Sequence, residues 1–336
     1  LLKGAGYGLP SAVVASGMVT IEGKKFSKSR GYVVWTNDDY LDQGLPADYL
    51  RYYLLSYTNH TKELDFSWKV YAERVNKEIV GTLGNFLYRT MYFAEKEFAG
   101  VPDRAPQPAI LEEIERSLAG IDAAMRDYDF KNAVDSMMAL ASFGNAYIQN
   151  NAPWKLIKED RAAAQQVIAD CLQIVKALVL VFQPLMPDAM QRAWTMLGYG
   201  DDIAAHPIAE ATAPVGARAL PKPSPLFAKI EEAQVNDLEK VLNKRVDAAN
   251  AAAAKKTSTV SIEEFGKLEI RVARVVSAEP IKGSKKLYKL VVDLGGEKRQ
   301  VVSGIAQFYS AGELVGKDVA MIVNLAPATI FGVESR

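Results

Sequence analysis

The spacing of apolar residues changes period once along this chain, and that change limits what it can fold into. From residue 70 to about 197, apolar side chains recur at three- and four-residue intervals, the spacing of one helix face. Over the last eighty residues they recur at every second position. Leu268, Ile270 and Val272 alternate with Glu269 and Arg271, and Tyr288, Leu290, Val292 and Leu294 alternate with Lys289, Val291 and Asp293. One packed layer does not satisfy both periods, so separate α and β domains are required. Between the two stretches, Pro207, Pro214, Pro221, Pro223 and Pro225 force an irregular, surface-following segment. Residues 231–256 follow, rich in alanine, free of glycine, with Val235, Leu238, Leu242 and Val246 at helical spacing; they read as a helical linker.

Within the helical stretch the pattern predicts helices at 70–98, 110–128, 131–150, 153–185 (open to a break near its start) and 187–197. Pro102, Pro106 and Pro108 separate the first two, and the short connections make antiparallel neighbours, hence a bundle. In the C-terminal stretch, Gly295-Gly296 sits where a hairpin turn belongs. A strand at 299–303, a short helix at 305–310 and a strand at 318–324 then match an OB-type barrel, with a closing strand expected beyond Arg336. Residues 1–68 mix β-like runs at 13–15 and 18–21, a polar lysine-rich loop at 23–31, and a helix at 48–57 with Leu50, Tyr53, Leu54 and Tyr57 on one face. That region is too small and irregular for a complete domain and reads as the tail of something larger. The expected organisation is a multidomain chain: an α/β remnant (1–69), an all-α bundle (70–226), a helical linker (227–256) and an all-β barrel (257–336).

Composition excludes several classes. Forty Lys and Arg balance forty Asp and Glu, so a polyanionic partner must be met by local patches. Cys171 is the single cysteine and His60 and His206 the only histidines, which leaves no internal disulfide and no zinc spacing. The longest apolar run, 175–182, is short and includes Lys176, so no membrane span is expected. Leu1-Leu2 is neither a start methionine nor a signal peptide, and a soluble, reducing, cytoplasmic protein is expected. Gly4-Ala5-Gly6-Tyr7-Gly8 lacks a preceding strand and meets Pro10, so it reads as a turn. Gly17 to Gly23-Lys24 fails as a phosphate loop, because Lys25 stands where serine or threonine is needed. His60 and His206 are expected to be exposed, Cys171 packed, and Met137-Met138 part of the bundle core.

Lys25-Phe26-Ser27-Lys28-Ser29 is more informative. Two lysines three apart, interleaved with serines and bracketed by Gly23 and Gly31, suit a mobile loop meeting a polyphosphate. Ammonium groups there neutralise charge that develops on a leaving pyrophosphate. Composition alone also allows a plain solvated basic loop. In the helical stretch, Asn85 and Arg89 share one helix face, an amide for a base edge beside a guanidinium that can stack. Trp154 follows Pro153 at a helix start, as a stacking platform or as core. Residues 260–336 carry eleven Lys and Arg against nine Asp and Glu. General attraction is therefore weak there, and a polyanion contact falls to Lys282, Lys285, Lys286 and Lys289, with Arg299 as a further member.

These residues carry a family resemblance. Lys25 to Ser29 resembles the Lys-Met-Ser-Lys-Ser signature of class I aminoacyl-tRNA synthetases, with Phe26 where methionine is usual. Together with Leu45-Pro46-Ala47-Asp48-Tyr49-Leu50-Arg51-Tyr52-Tyr53 and Leu64-Asp65-Phe66-Ser67-Trp68, it is similar in order and spacing to methionyl-tRNA synthetases. Asn85-Phe86-Leu87-Tyr88-Arg89 and Ala152-Pro153-Trp154 match positions at which that family reads a CAU anticodon. Val301-Val302-Ser303-Gly304-Ile305 and Phe331-Gly332-Val333-Glu334-Ser335 resemble its appended tRNA-binding OB module. The resemblance implies Lys28 and Lys25 as catalytic groups, with Ser27 and Ser29 also at ATP. It implies anticodon binding by Asn85, Arg89 and Trp154, and tRNA binding by the five basic residues of the barrel. It further implies ATP with magnesium, any zinc lying before Leu1, tRNA(Met) and methionine as partners, and a homodimer through the OB module. This chain alone is expected to be silent in methionine activation, since the methionine pocket lies upstream. A non-catalytic tRNA-binding cofactor and another class I synthetase stay open as alternative readings.

Overall fold

The computed structural model describes residues 3–58, 60, 62–256 and 260–336. Two compact units divide the chain, Leu1–Ala253 and Ala254–Arg336. The expected barrel start at 257 and the Leu1-Leu2 terminus fall outside the described residues.

The first unit opens with a small sheet. Strand β1 (Val19–Ile21) turns into β2 (Lys24–Lys25) through Glu22 and Gly23, both at positive φ, the two-residue turn that matches strand twist. Helix α1 (Ala47–Tyr57) follows, and β3 (Leu64–Phe66) then pairs parallel to β1. Residues 13–15, expected as a strand, are exposed and join no sheet among the described residues; their Ala15 O meets His60 Nδ1 at 2.9 Å instead. In α1 the buried side chains are Asp48, Tyr49, Tyr52, Tyr53 and Ser56, while Leu50 and Leu54 only flank the core. The aromatic residues take the inner face because a cluster of Tyr40, Phe66, Trp68 and Tyr71 meets them there, largely edge to face.

The bundle begins with α2 (Trp68–Arg74), passes through a wide-turn stretch Val75–Gly84, and continues as α3 (Asn85–Phe98). A short β4 (Gly100–Val101) precedes α4 (Pro108–Arg126), α5 (Phe130–Asn151), α6 (Pro153–Glu159), α7 (Arg161–Phe182) and α8 (Pro187–Met196). The long helix expected at 153–185 breaks at Asp160, whose side chain accepts from Ala163 N and caps α7. Helix α7 is apolar and long enough to cross a membrane, but 89% of its most apolar window is buried among the other helices. Its inward polar groups are partnered. Asp170 accepts from Gln107 N (2.8 Å) and Tyr147 Oη (2.7 Å), Gln173 donates to Ala211 O (2.7 Å) and Lys176 to Ala213 O (2.9 Å). Burial pushes the Cys171 thiol well up, and the neighbouring Asp170 charge adds to it.

Helix α1 is fastened to the bundle at both its charged residues. Asp48 accepts from Ala189 N (2.7 Å) at the start of α8, and Arg51 donates to Leu185 O (3.0 Å) and Pro184 O (2.7 Å) past the end of α7. One hydrophobic cluster accordingly runs from Ile21 to Leu242, with no gap at residues 69 or 226. The proline-rich segment carries β5 (Arg218–Ala219), antiparallel to β4, and leads into α9 (Glu232–Lys256). The residues expected to form a linker begin as packing: Phe227, Ile230, Val235, Leu238 and Leu242 are buried. Asn76 grips Ile230 through both amide atoms at 2.9 Å. His206, expected to be exposed, is held between Glu210 (2.8 Å) and Asp201 (2.9 Å) with its ring 4.8 Å from that of Trp194.

In the second unit, α10 (Ile262–Phe265) precedes a curled antiparallel sheet. Strands β6 (Ile270–Pro280), β7 (Tyr288–Asp293), β8 (Lys298–Ser303) and β9 (Asp318–Ile322) lie in the order β8-β7-β6-β9, an OB-like half-barrel. Helix α11 (Ala311–Leu314) closes one end with Leu314, and β10 (Ala328–Ile330) pairs with β11 (Val333–Ser335). The helix expected at 305–310 lies later, because Ser310 and Glu313 form the reciprocal cap that starts it at Ala311. Tyr288, Leu290 and Val292 face the core as their alternation predicts. Leu268, Ile270 and Val272 do not. Ala273 and Val275 fill the core instead, and Val272 is 69% exposed. A side-chain period of two means a one-residue change of phase swaps every face.

Candidate ATP and RNA sites

The lysine-rich loop grows out of the β1–β2 turn. Asp65 on β3 fixes that turn by accepting from Gly23 N and Thr20 Oγ1, both at 2.8 Å. Lys25 ends β2, Phe26 is exposed, and a backbone bond from Ser27 N to Tyr32 O (2.8 Å) closes the loop at its base. Residues Lys28–Arg30 form one tight helical turn, ended by Gly31 at φ +78°. Ser27 Oγ and Ser29 Oγ lie 3.3 Å apart. Lys28 Nζ rests 4.9 Å from the centre of the Trp35 ring. Lys25, Lys28 and Ser29 are exposed, and among the described residues neither lysine has a carboxylate partner. This donor set, two ammonium groups and two hydroxyls, fits phosphate oxygens.

The second grouping lies on the bundle. The wide-turn stretch is followed by Asn85, whose backbone N–H reaches back to Val80 O, and such stretches often mark functional positions. Asn85 is exposed at the start of α3, and Arg89 follows one turn later on the same face. Trp154 opens α6, whose entry is set by Ala152 in the left-handed region and by buried Pro153. The Arg89 guanidinium sits 5.5 Å from the centre of the half-buried Trp154 ring. The three expected residues, from two helices, thus form one surface: an amide edge, a planar cation and an indole with part of its ring free. The alternative of Trp154 as plain core is met halfway, since its other side packs against the bundle.

On the half-barrel, Lys282, Lys285 and Lys286 project from the β6–β7 turn, next to the Ser303 end of β8. Lys289 stands one step into β7 and pairs with Glu279 (2.6 Å). Arg299 is separated from the group: it lies opposite Val292, towards the far end of the ladder, and pairs with Glu297 (2.7 Å). The expected five-residue cluster therefore reduces to three lysines at one turn, without a carboxylate partner among the described residues. Sequence spacing suggested otherwise because β7 and β8 run in opposite directions.

Three family descriptions match consecutive parts of the chain. "tRNA synthetases class I (M)" covers residues 1–91, "Anticodon binding domain of methionyl tRNA ligase" covers 99–245, and "Putative tRNA binding domain" covers 270–336. The methionine–tRNA ligase of Methanoculleus marisnigri is 85% identical over 336 residues, all of this chain and 51% of that protein; that of Methanoregula boonei is 61% identical over the same span. The chain belongs to the methionyl-tRNA synthetase family. It spans about half the length of the curated relatives it matches. The crystal structure of Mycobacterium tuberculosis methionyl-tRNA synthetase bound by methionyl-adenylate shares its fold, with a TM-score of 0.61 and 24% identity over 68% of this chain and 46% of that one.

For a chain of the methionyl-tRNA synthetase family, the Arg89–Trp154 contact has an unexpected address. Asn85 and Arg89 lie within the stretch matched as class I synthetase and Trp154 within the anticodon-binding stretch, so the surface straddles two matched regions. The sequence reading missed Trp35, Asp39 and Asp65, which hold the signature loop from beneath. Nothing in the spacing of Asp65 signals that it anchors Gly23. Among the described residues no group of three His, Cys, Asp or Glu is placed to hold a metal ion. The loop's cationic donors suit phosphate oxygens, not a divalent ion.

Proposed function

We propose that this chain supplies three parts of a methionine–tRNA ligase: the loop that meets the phosphates of ATP, the surface that reads the anticodon of tRNA(Met), and a module for general tRNA affinity. In the activation step a carboxylate oxygen of methionine attacks the α-phosphorus of ATP, the bond to the β-phosphate oxygen breaks, and pyrophosphate leaves as the adenylate forms. Negative charge accumulates on that leaving group. Lys28, with Lys25 behind it, is the group in this chain that neutralises it, and Ser27 and Ser29 are the adjacent hydroxyl donors. A tRNA hydroxyl then takes the methionyl group and AMP departs. Magnesium would arrive with the nucleotide.

The single observation that carries the RNA half is the Arg89 guanidinium lying over the Trp154 ring, one helical turn from exposed Asn85. An unpaired base can stack on the free part of the indole while the amide and guanidinium meet base edges. Binding of an anticodon stem-loop carrying CAU, compared with one carrying a changed anticodon, tests this reading on the chain itself. Equal affinity for the two would refute it. Replacing Lys28 by Ala in the full-length protein tests the ATP half: methionine-dependent pyrophosphate exchange should collapse.

The exposed apolar strip on β6, Ile270 and Val272, supports self-association of the half-barrel as a homodimer. Sedimentation of the chain with Val272→Asp, against the unaltered chain, reads it directly; unchanged behaviour would dismiss it. Buried, unpaired Cys171 fits the reducing cytoplasm.

A further inference from the structure

Helix α9 packs against the end of the signature loop at Gly31 and against the segment that follows it. Arg245 donates to both oxygens of Asp39, each at 2.7 Å, and to Val33 O at 2.8 Å. Asp39 is buried, and it accepts from Trp35 N at 2.8 Å. The Trp35 ring is the surface on which Lys28 Nζ rests. A continuous line of contacts therefore joins the α9 guanidinium, the Asp39 carboxylate, the Trp35 backbone and the Lys28 ammonium. A second constraint acts on the other end of the same turn. Gly31, which ends the Lys28–Arg30 turn, lies so close to α9 that a methyl group there would sit 2.6 Å from Arg245 O and 2.8 Å from Val246 Cα. With φ at +78°, glycine is the residue that fits both demands.

We propose that Arg245 is a positioning residue for the signature loop: by fixing Asp39 and the Trp35 backbone, it sets where Lys28 stands before the nucleotide arrives. The inference rests on the ATP role of Lys28 stated above. Its physical basis is that a buried carboxylate stripped of its partner does not keep its place. Burial alone pushes the Asp39 carboxyl up. The Arg245 hydrogen bonds, the Trp35 amide and the Arg245 charge outweigh it and hold the group below the usual carboxylate range. Loss of the guanidinium removes two of those three, and the segment from Val33 to Asp39 becomes free to move under Lys28. Small displacements of a charge-stabilising group are costly to rate, about ten- to a hundredfold.

The test uses the full-length protein carrying Arg245→Ala, Arg245→Lys, Lys28→Ala or Lys240→Ala, all with fluorine-labelled tryptophan. Trp35 is assigned by its loss in Trp35→Phe. Arg245→Ala should lower kcat of pyrophosphate exchange about tenfold or more with the methionine KM unchanged. It should also move the Trp35 resonance while those of Trp68, Trp154 and Trp194 hold, which shows the fold intact. Arg245→Lys keeps the charge but not the fork, so it should recover part of the rate. Lys240, exposed on the same helix, is the control that should change nothing. A folded Arg245→Ala protein with an unmoved Trp35 signal, or with a moved signal and normal kcat, overturns the proposal. Should Arg245→Ala not fold, Arg245→Lys with normal kcat and an unmoved Trp35 signal does the same. If Lys28→Ala retains full exchange, the ATP reading falls instead, a separate outcome seen in a separate protein.

Discussion

Replacing Trp154 by alanine separates recognition from general attraction, and its size can be worked out beforehand. The indole is half-buried, with one side on the bundle and the other beside Arg89, whose guanidinium lies 5.5 Å from the ring centre. Removing it takes away a stacking platform, worth roughly 1–3 kcal/mol per base. It also leaves the Arg89 guanidinium without its aromatic partner, a further loss of about 0.5–1 kcal/mol at a partly exposed position. That contact exists with or without RNA, so the stacking loss of about 1–3 kcal/mol sets the affinity change, roughly a 5- to 150-fold weaker complex. The fold should survive. Pro153 stays buried, and Lys155 N and Leu156 N still bond to Ala152 O (2.8 and 3.2 Å), so α6 keeps its first turn. The stability cost should fall below the ~3–5 kcal/mol typical of a fully buried tryptophan. Fluorescence anisotropy with a labelled CAU stem-loop, and with one of changed anticodon, measures both affinities. The variant should lose its preference, and Trp154→Phe should retain most of it. A folded alanine variant that still prefers CAU, or one that weakens both RNAs equally, would refute the assignment.

Lys285→Ala with Lys286→Ala should weaken all tRNAs alike and flatten the plot of log affinity against log salt by about 0.7 per lost phosphate contact; a titration across salt concentrations reads this. Gly144 faces Phe86 so closely that an added methyl would lie 2.4 Å from Cζ, so Gly144→Ala should cost about 1–3 kcal/mol in urea unfolding. Hydrogen bonds to Glu210 and then Asp201 raise the His206 pKa above its ordinary 6.5. Because the folded value is the higher, this stabilisation is complete below 6.5 and disappears as pH rises through the folded value. The stability gap between His206→Asn and the unaltered chain should therefore be wider in mildly acidic than in alkaline buffer, and equal gaps in denaturant titrations would exclude the effect.

What the residues announced beforehand depended on how local the signal was. Helix periods, the proline breaks and the alternation of Tyr288, Leu290 and Val292 are short-range patterns, and they place those elements within a few residues. The Lys25–Ser29 loop and the pairing of Asn85 with Arg89 were legible for the same reason. Trp154 beside Arg89 was reached through family resemblance, since 64 residues intervene and no periodicity links them. The clasp of Arg245 on Asp39 joins positions 206 apart, and its charges look like ordinary surface residues until the chain is folded. Arg299 was misplaced because proximity in a hairpin depends on strand direction. The outward turn of Val272 followed from a choice between two apolar sets on β6 that alternation alone leaves undecided.

The unbroken apolar mass from Ile21 to Leu242 means that the region carrying the lysine-rich loop and the helical bundle do not melt as separate bodies. Cutting the polypeptide at residue 69 or 226 would bare oily surface on both products. The seam that biochemistry draws between two tasks is, for the folding chain, the middle of a single droplet.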